Sequence, residues 1–388
     1  MAETPAIAHH CAATFESWLG AKPEVVAWAP GRINVIGGHT DYNDGLAMPA
    51  AINRWISVVL SPRMDNRIRV RSLDFDGVYE SDRGDLTPPE SSWQRFVVGL
   101  VEIFEEHVGL PGGFDAVFAG DIPYGAGLSS SAALTVAWMN AFRCWTGCPL
   151  DDWSLVRLCQ RVEHDYLGVA CGLLDQVGSH FSRADHVIEV DFRSMALRHV
   201  PAKLPGLSWV VIHTGIRREL SESEFPTRVR ECQEGLRAVQ AQDSSVRSVR
   251  DVELQHLNGD AAWRDRLYHL ILENQRVEKA AECFSVGDIA GVGHLMVQTH
   301  ESLRDHFAVS CPELDSLVEI ATDSEICWGA RMVGGGFGGC TLNLVRQDAS
   351  DAFIQRTLAL YRERFALEPR GYSFELVGGA QAQKTVRG

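Results

Sequence analysis

Three glycine-rich segments hold most of the side chains in this sequence that are equipped for chemistry. Gly31–Gly45 (GRINVIGGHTDYNDG) crowds Arg32, His39, Asp41, Tyr42 and Asn43 into one stretch. So many donors and acceptors suit a polyhydroxylated ligand, because each hydroxyl needs a partner. The closing Asn-Asp-Gly equally fits a polar surface turn, and the residues alone leave both readings open. Asp121–Leu134 (DIPYGAGLSSSAAL) places Gly125 and Gly127 before Ser129, Ser130 and Ser131, which lead into an Ala/Leu helix. Exposed N–H groups and the positive end of a helix dipole form an anion site. A serine-capped helix after a turn has the same spelling. No Gly-Lys-Ser/Thr is present, so this is not a Walker loop.

The third segment, Met332–Cys340 (MVGGGFGGC), satisfies G-x-G-x-x-G at Gly334, Gly336 and Gly339. A dinucleotide fingerprint must open a helix, whereas the apolar strand pattern CTLNLV follows here. The Rossmann reading therefore fails. The glycines still imply close approach of the backbone to a phosphate or to another strand.

The elements that must position these segments are legible in outline. VVAWAP from Val25, Trp55–Leu60, Arg67–Val70, Phe114–Ala119, His186–Asp191, Leu207–His213 and Cys340–Val345 read as strands, Arg67–Val70 as an edge and the 186 and 207 strands as neighbours around a turn. Helical spacing runs over Trp93–Glu106, Ser130–Cys144, Asp151–Leu167, Ser221–Gln242, Tyr268–Phe284 and Ile289–His306. Strands and helices mix without a strict βαβ repeat, which predicts an α+β fold. Pro201–Pro205 marks the boundary between expected domains at 1–203 and 204–388.

Composition narrows the function classes. The 388 residues carry a formal charge of −15, which argues against a dedicated nucleic-acid or anionic-lipid binder. No apolar run reaches the roughly 18 residues of a membrane span. Residues MAETPAIAHH lack the pattern of a secretory signal. The ten cysteines are scattered without zinc-type spacing, as expected of free thiols in a reducing cytoplasm.

In this order the three segments resemble the GHMP kinase superfamily. The first resembles its galactokinase branch, whose pattern reads roughly G-R-x-N-x-I-G-E-H-T-D-Y-N. The resemblance extends through GLLDQ (Gly172–Gln176), SEFPTR (Ser223–Arg228), SLRDHFAVSCPELD (Ser302–Asp315) and GARMVGGGFGGC. It implies a ribosomal-S5-like N-terminal domain and a ferredoxin-like C-terminal domain, with ATP and a sugar in the cleft between them. It further implies phosphorylation of the anomeric hydroxyl of a galactose-like sugar by a monomer or weak homo-oligomer.

Under the resemblance Asp175 matches the catalytic carboxylate that accepts the hydroxyl proton. Arg32 lies against it and helps neutralise the transferring phosphoryl group. Glu163 and Ser131 match an oxygen pair for Mg2+. Gly125, Ala126, Gly127, Leu128, Ser129, Ser130 and Ser131 would cradle the ATP phosphates, and Trp93 and Phe96 would enclose the adenine. His39, Asp41 and Gly172 match sugar contacts. Read without the resemblance, Asp175 is a helix cap, Glu163 a solvated helix residue, and Trp93 and Phe96 core.

Two positions depart from the family. Gly38 stands where galactokinases carry a Glu that binds the C6 hydroxyl, and Phe225 where they usually carry a sugar-contacting Tyr. Each lost partner costs about 1–3 kcal/mol if its hydroxyl is left buried and unpaired. Galactose stays the first candidate, with galacturonate and L-arabinose as C6-altered alternatives, although no cation is identifiable for a uronate carboxylate. A sugar- and ATP-binding regulator without catalysis is a further alternative, opposed by the presence of Asp175, Arg32, Glu163 and Ser131. A non-sugar alcohol kinase is opposed by the HTDYN block.

Overall fold

The computed structural model describes residues 3–168, 171–216 and 224–385. In chain order these form α1 (Ala6–Leu19), β1 (Val25–Asn34), β2 (Leu46–Ala47), β3 (Pro49–Pro62), β4 (Arg67–Ser72), β5 (Val78–Asp82), α2 (Ser92–His107), β6 (Phe114–Gly120), α3 (Ser130–Thr146), α4 (Asp152–Leu167), α5 (Leu174–Phe181), β7 (His186–Asp191) and β8 (Ala196–Pro201). Then follow β9 (Leu207–His213), α6 (Phe225–Gln240), α7 (Ala262–Val286), α8 (Ile289–Asp305), α9 (Pro312–Thr322), β10 (Cys327–Val333), β11 (Cys340–Arg346), α10 (Ser350–Arg364), β12 (Arg370–Phe374) and β13 (Gln381–Lys384). The expected helix over Ser221–Gln242 begins at Phe225, with Pro226 in its first turn; residues 221–223 lie outside the described residues.

The strands form a six-stranded sheet ordered β13-β1-β3-β6-β4-β5, a four-stranded sheet ordered β10-β11-β9-β12, and a small sheet ordered β2-β7-β8. Among the described residues, neighbouring strands run antiparallel except β4 and β6. Helices and strands are thus mixed as the α+β reading expects. Three details differ from that reading. Arg67–Ser72 is an inner strand, because the polar strand β5 covers it. The strands at 186 and 207 belong to different sheets, with β8 taking the pairing expected between them. The last strand, β13, returns to pair with Val25–Trp28 of β1, so the C-terminal end of the chain is built into the first sheet.

The continuous apolar run of β3 follows from cover on both faces. Val58 and Leu60 enter the main core with α2 and α3, while Val59 packs with Cys11 and Phe15 of α1. Helix α3 is buried along its whole middle, from Ala132 to Phe142. A helix so enclosed has little freedom to shift, which fixes in space the glycine loop at its N-terminus. All ten cysteines are free thiols. Among the described residues no helix is long and apolar enough to cross a membrane.

Phe104 of α2 is fully buried, its ring 5.2 Å from that of Phe142 on α3. Phe104→Ala should destabilise the protein by about 3–5 kcal/mol, read by chemical denaturation. A loss under about 1 kcal/mol would show that α2 and α3 are not packed as described.

Candidate active site

Strand β1, the loop before α3 and the first turn of α5 meet at Arg32. Its backbone N–H donates to Leu128 O at 3.1 Å, and its Nη1 to Gly127 O at 2.8 Å. Its Nε and Nη2 reach Asp175 Oδ1 at 2.7 and 2.6 Å. Such closeness of strand to loop requires Gly31, since a Cβ there would lie 2.7 Å from Leu128 O. Asp175 sits inside the first turn of α5 rather than at its cap. Its second oxygen, Oδ2, accepts from Ser129 Oγ at 2.5 Å. Ser129 therefore does not cap α3 with its side chain; it stands at the N-cap position in the left-handed region (φ 60°) and spends its hydroxyl on the carboxylate. The Asp175 side chain is 29% exposed, enough to face a substrate.

Arg32, Asp175 and residues 125–131 line a cavity of about 270 Å³, closed on its far side by Ile216 and the glycine loop after Val333. Two of the three glycine-rich segments thus face each other, and the first contributes Arg32. Trp93 and Phe96 do not line this cavity. Trp93 is buried against Phe118, ring centroids 5.8 Å apart, and Phe96 packs half-buried on the same core. Their packing supports the plain reading as core residues, with Phe96 still partly exposed on α2.

Glu163 of α4 is buried, not the solvated residue that its pattern alone predicts. Its Oε1 accepts from Gln176 Nε2 at 2.7 Å, and it also bonds Ser131. Burial first, then the charge of Asp175, pushes its carboxyl up to about 7. Burial and Asp175 likewise push Asp41 up to about 6. Three acids therefore crowd around one arginine, an arrangement that favours a bound cation. The oxygen donors Glu163 and Ser131 fit a hard divalent ion, and the Gln176 Oε1 beside them is buried without a partner. Among the described residues no cluster of three or more His, Cys, Asp or Glu is able to hold a metal unaided, so phosphate oxygens would have to complete the shell.

The polar loop of the first segment folds beside this cavity. His39 is buried in the left-handed region (φ 63°), its Nδ1 2.8 Å from Tyr42 Oη and its Nε2 without a partner. Burial, then the neighbouring His269 and Arg331, push it down to about 3, so the ring is neutral. Phe225 lies 5.7 Å from His39 and 5.5 Å from Tyr42, ring to ring. Gly172 is where Asp41 approaches closest: a Cβ there would fall 1.8 Å from Asp41 Oδ2. Gly38 and Gly37 donate to Glu273 Oε1 at 3.0 and 2.8 Å, and Gly38 O accepts from His269 Nε2 at 3.0 Å. Burial raises Glu273, but Arg276, His269 and Arg331 outweigh it and hold the carboxyl at about 2. A side chain at Gly38 would meet Arg331 Nη2 at 3.1 Å. The sequence reading missed Glu273, His269 and Arg331. The one visible signal was a charged residue, Arg331, inside the apolar strand β10.

Comparison with known proteins agrees with this geometry. The models for the GHMP kinases N terminal domain and GHMP kinases C terminal match residues 95–183 and 279–362. The galactokinase galactose-binding signature matches residues 13–62. A galactokinase from Roseiflexus sp. (strain RS-1) is 38% identical over 357 residues, covering 90% of each chain. The Homo sapiens galactokinase is 37% identical over 352 residues, covering 87% of each. The crystal structure of Lactococcus lactis galactokinase complexed with galactose superposes with a TM-score of 0.89 at 31% identity, covering 95% of this chain and 98% of that one. A mevalonate kinase structure shares the fold at a TM-score of 0.65 and 16% identity. The fold is that of a GHMP kinase. Within that superfamily, this chain belongs to the galactokinase family.

Gly172→Ala should displace Asp41 and raise the KM for the phosphate acceptor at least ten-fold, leaving the KM for ATP within about two-fold, as expected for loss of a charged hydrogen bond. An unchanged acceptor KM would remove Asp41 from the acceptor site.

Proposed function

We propose that this chain is an ATP-dependent kinase that transfers the γ-phosphoryl group to the anomeric hydroxyl of D-galactose. The observation that carries the reading is Asp175, paired with Arg32 and open to the cavity at the N-terminus of α3. Support for galactose comes from the named galactokinases at 37–38% identity and from the galactose-binding signature over residues 13–62.

The chemistry follows from the site. The N–H groups at the start of α3 bind the nucleotide phosphates. His39 and Asp41 take hydroxyls of the sugar, and the neutral His39 offers its unpartnered Nε2. Asp175 Oδ2 accepts the proton of the anomeric hydroxyl as that oxygen bonds to the γ-phosphorus and the bond to ADP breaks. Arg32 holds the carboxylate in place and sets a positive charge beside the phosphoryl group. Mg2+, held by Glu163 and Ser131 together with phosphate oxygens, would supply further charge neutralisation.

At Gly38 the sugar loop offers no carboxylate. The neighbouring cation, Arg331, spends its Nε and Nη1 on Met332 O and Val35 O. An ATP-consumption assay over galactose, galacturonate, L-arabinose, fucose, glucosamine-type sugars and mevalonate should show turnover with galactose as the best substrate. Absence of turnover with every sugar would overturn the kinase reading, and a preference for galacturonate or L-arabinose would overturn the choice of sugar. Asp175→Asn should lower kcat by about 10²–10⁴-fold while nucleotide binding persists; retained turnover would take Asp175 out of the mechanism.

A further inference from the structure

Four consecutive carbonyls of the loop before α3 are hydrogen-bonded, each by a different donor. Leu128 O and Gly127 O take the backbone N–H and Nη1 of Arg32, from the first sheet. Gly125 O takes His213 Nε2 at 3.1 Å, and Ala126 O takes Cys340 Sγ at 2.9 Å, both from the second sheet. His213 and Cys340 are register partners on β9 and β11. They therefore reach the loop as one unit, at the edge where the third glycine segment ends.

The proton positions at this contact are determined. Gly215 N–H donates to His213 Nδ1 at 2.8 Å, so Nδ1 is the acceptor and Nε2 carries the hydrogen that meets Gly125 O. Cys340 is fully buried, and burial pushes its thiol up, so it remains a donor. A peptide plane whose carbonyl is held on one side presents the N–H of the next residue on the other. Binding Ala126 O in this way aims the following N–H, of Gly127, away from the second sheet's donors. The N–H of Ala126 is itself spent on Pro123 O at 3.3 Å, so His213, through Gly125 O, fixes the turn that carries this peptide. Gly125 and Gly127 both adopt positive φ and have no side chain to hold them, so without such bonds the loop would be free to rotate its peptides.

We propose that His213 and Cys340 are positioning residues for the phosphate loop. Acting from the second sheet, they orient its peptides for the nucleotide and have no part in sugar recognition. The inference rests on the reading of this loop as the nucleotide-phosphate site. It predicts an effect confined to one substrate, because the sugar loop is anchored elsewhere, by Glu273 of α7 at Gly37 and Gly38 and by Asn274 of α7 at Leu46.

The test compares the full-length wild type with His213→Ala, Cys340→Ala, Cys340→Ser and His213→Ala/Cys340→Ala. Each is measured for ATP binding by calorimetry, for both KM values, and for thermal unfolding. His213→Ala and Cys340→Ala should each weaken ATP binding and raise the KM for ATP by about five-fold, the scale of one neutral hydrogen bond. The sugar KM should stay within two-fold. Cys340→Ser, which keeps a donor, should restore ATP binding toward wild type. If Cys340→Ala does not fold, His213→Ala and Cys340→Ser decide on the same readouts. Unchanged ATP binding in His213→Ala overturns the proposal, as does a parallel rise of both KM values. Failure of Cys340→Ser to differ from a folded Cys340→Ala overturns it for the thiol. A wild type that binds no ATP would instead overturn the proposed function, and this inference with it.

Discussion

The ion pair between Arg32 and Asp175 is the contact on which the site depends. Arg32 belongs to a buried strand, Asp175 to the first turn of a short helix, and the same guanidinium also grips the loop before α3. One side chain thus sets the distance between a carboxylate and a helix N-terminus, two features that chemistry on a phosphoryl group needs side by side. The pair is partly buried, so its geometry matters more than its Coulomb energy: desolvation offsets much of the attraction. A lysine has a single-point charge and is unable to make these bonds simultaneously.

Around that pair the charges are deliberately unequal. Burial and the nearby charge of Asp175 raise the cost of ionising Asp41 and Glu163, which are pushed up to about 6 and 7. Such a cluster is stable with its protons on, or with cations present. A nucleotide arriving with a divalent ion supplies the missing positive charge, which couples substrate binding to the charge state of the site. The sugar loop is organised on the opposite electrostatic plan. There, Glu273 is held ionised among Arg276, Arg331 and His269, and it anchors backbone N–H groups.

Much of the fold was legible because burial leaves a pattern. The strands at His186–Asp191 and Leu207–His213 have the bounds that their apolar runs predict, and α2, α3 and α4 fall within a residue or two of theirs. What was not legible is pairing. Polar β5 and the short strand β13, QAQK, carry no apolar signal, yet they cover the edges of the first sheet. The site shows the same division. Local spelling marked the anion loop and the polar loop but gave no reason to join Arg32 with Asp175, which are 143 positions apart; the family resemblance supplied that. Glu163 has the spacing of an exposed helix residue and is buried because α5 lies across it. Contacts such as Cys340 to Ala126, across 214 positions, leave no trace in either segment.

The central claim is that Arg32 and Asp175 act as one unit. A double-mutant cycle in single-turnover phosphoryl transfer, with Arg32→Gln, Asp175→Asn and the double variant, tests it most directly. Residues that work together lose their function together. The double variant should be no more than about two- to three-fold slower than the slower single variant. If instead the two losses multiply, each residue contributes on its own and the pair is not the organising contact of this site.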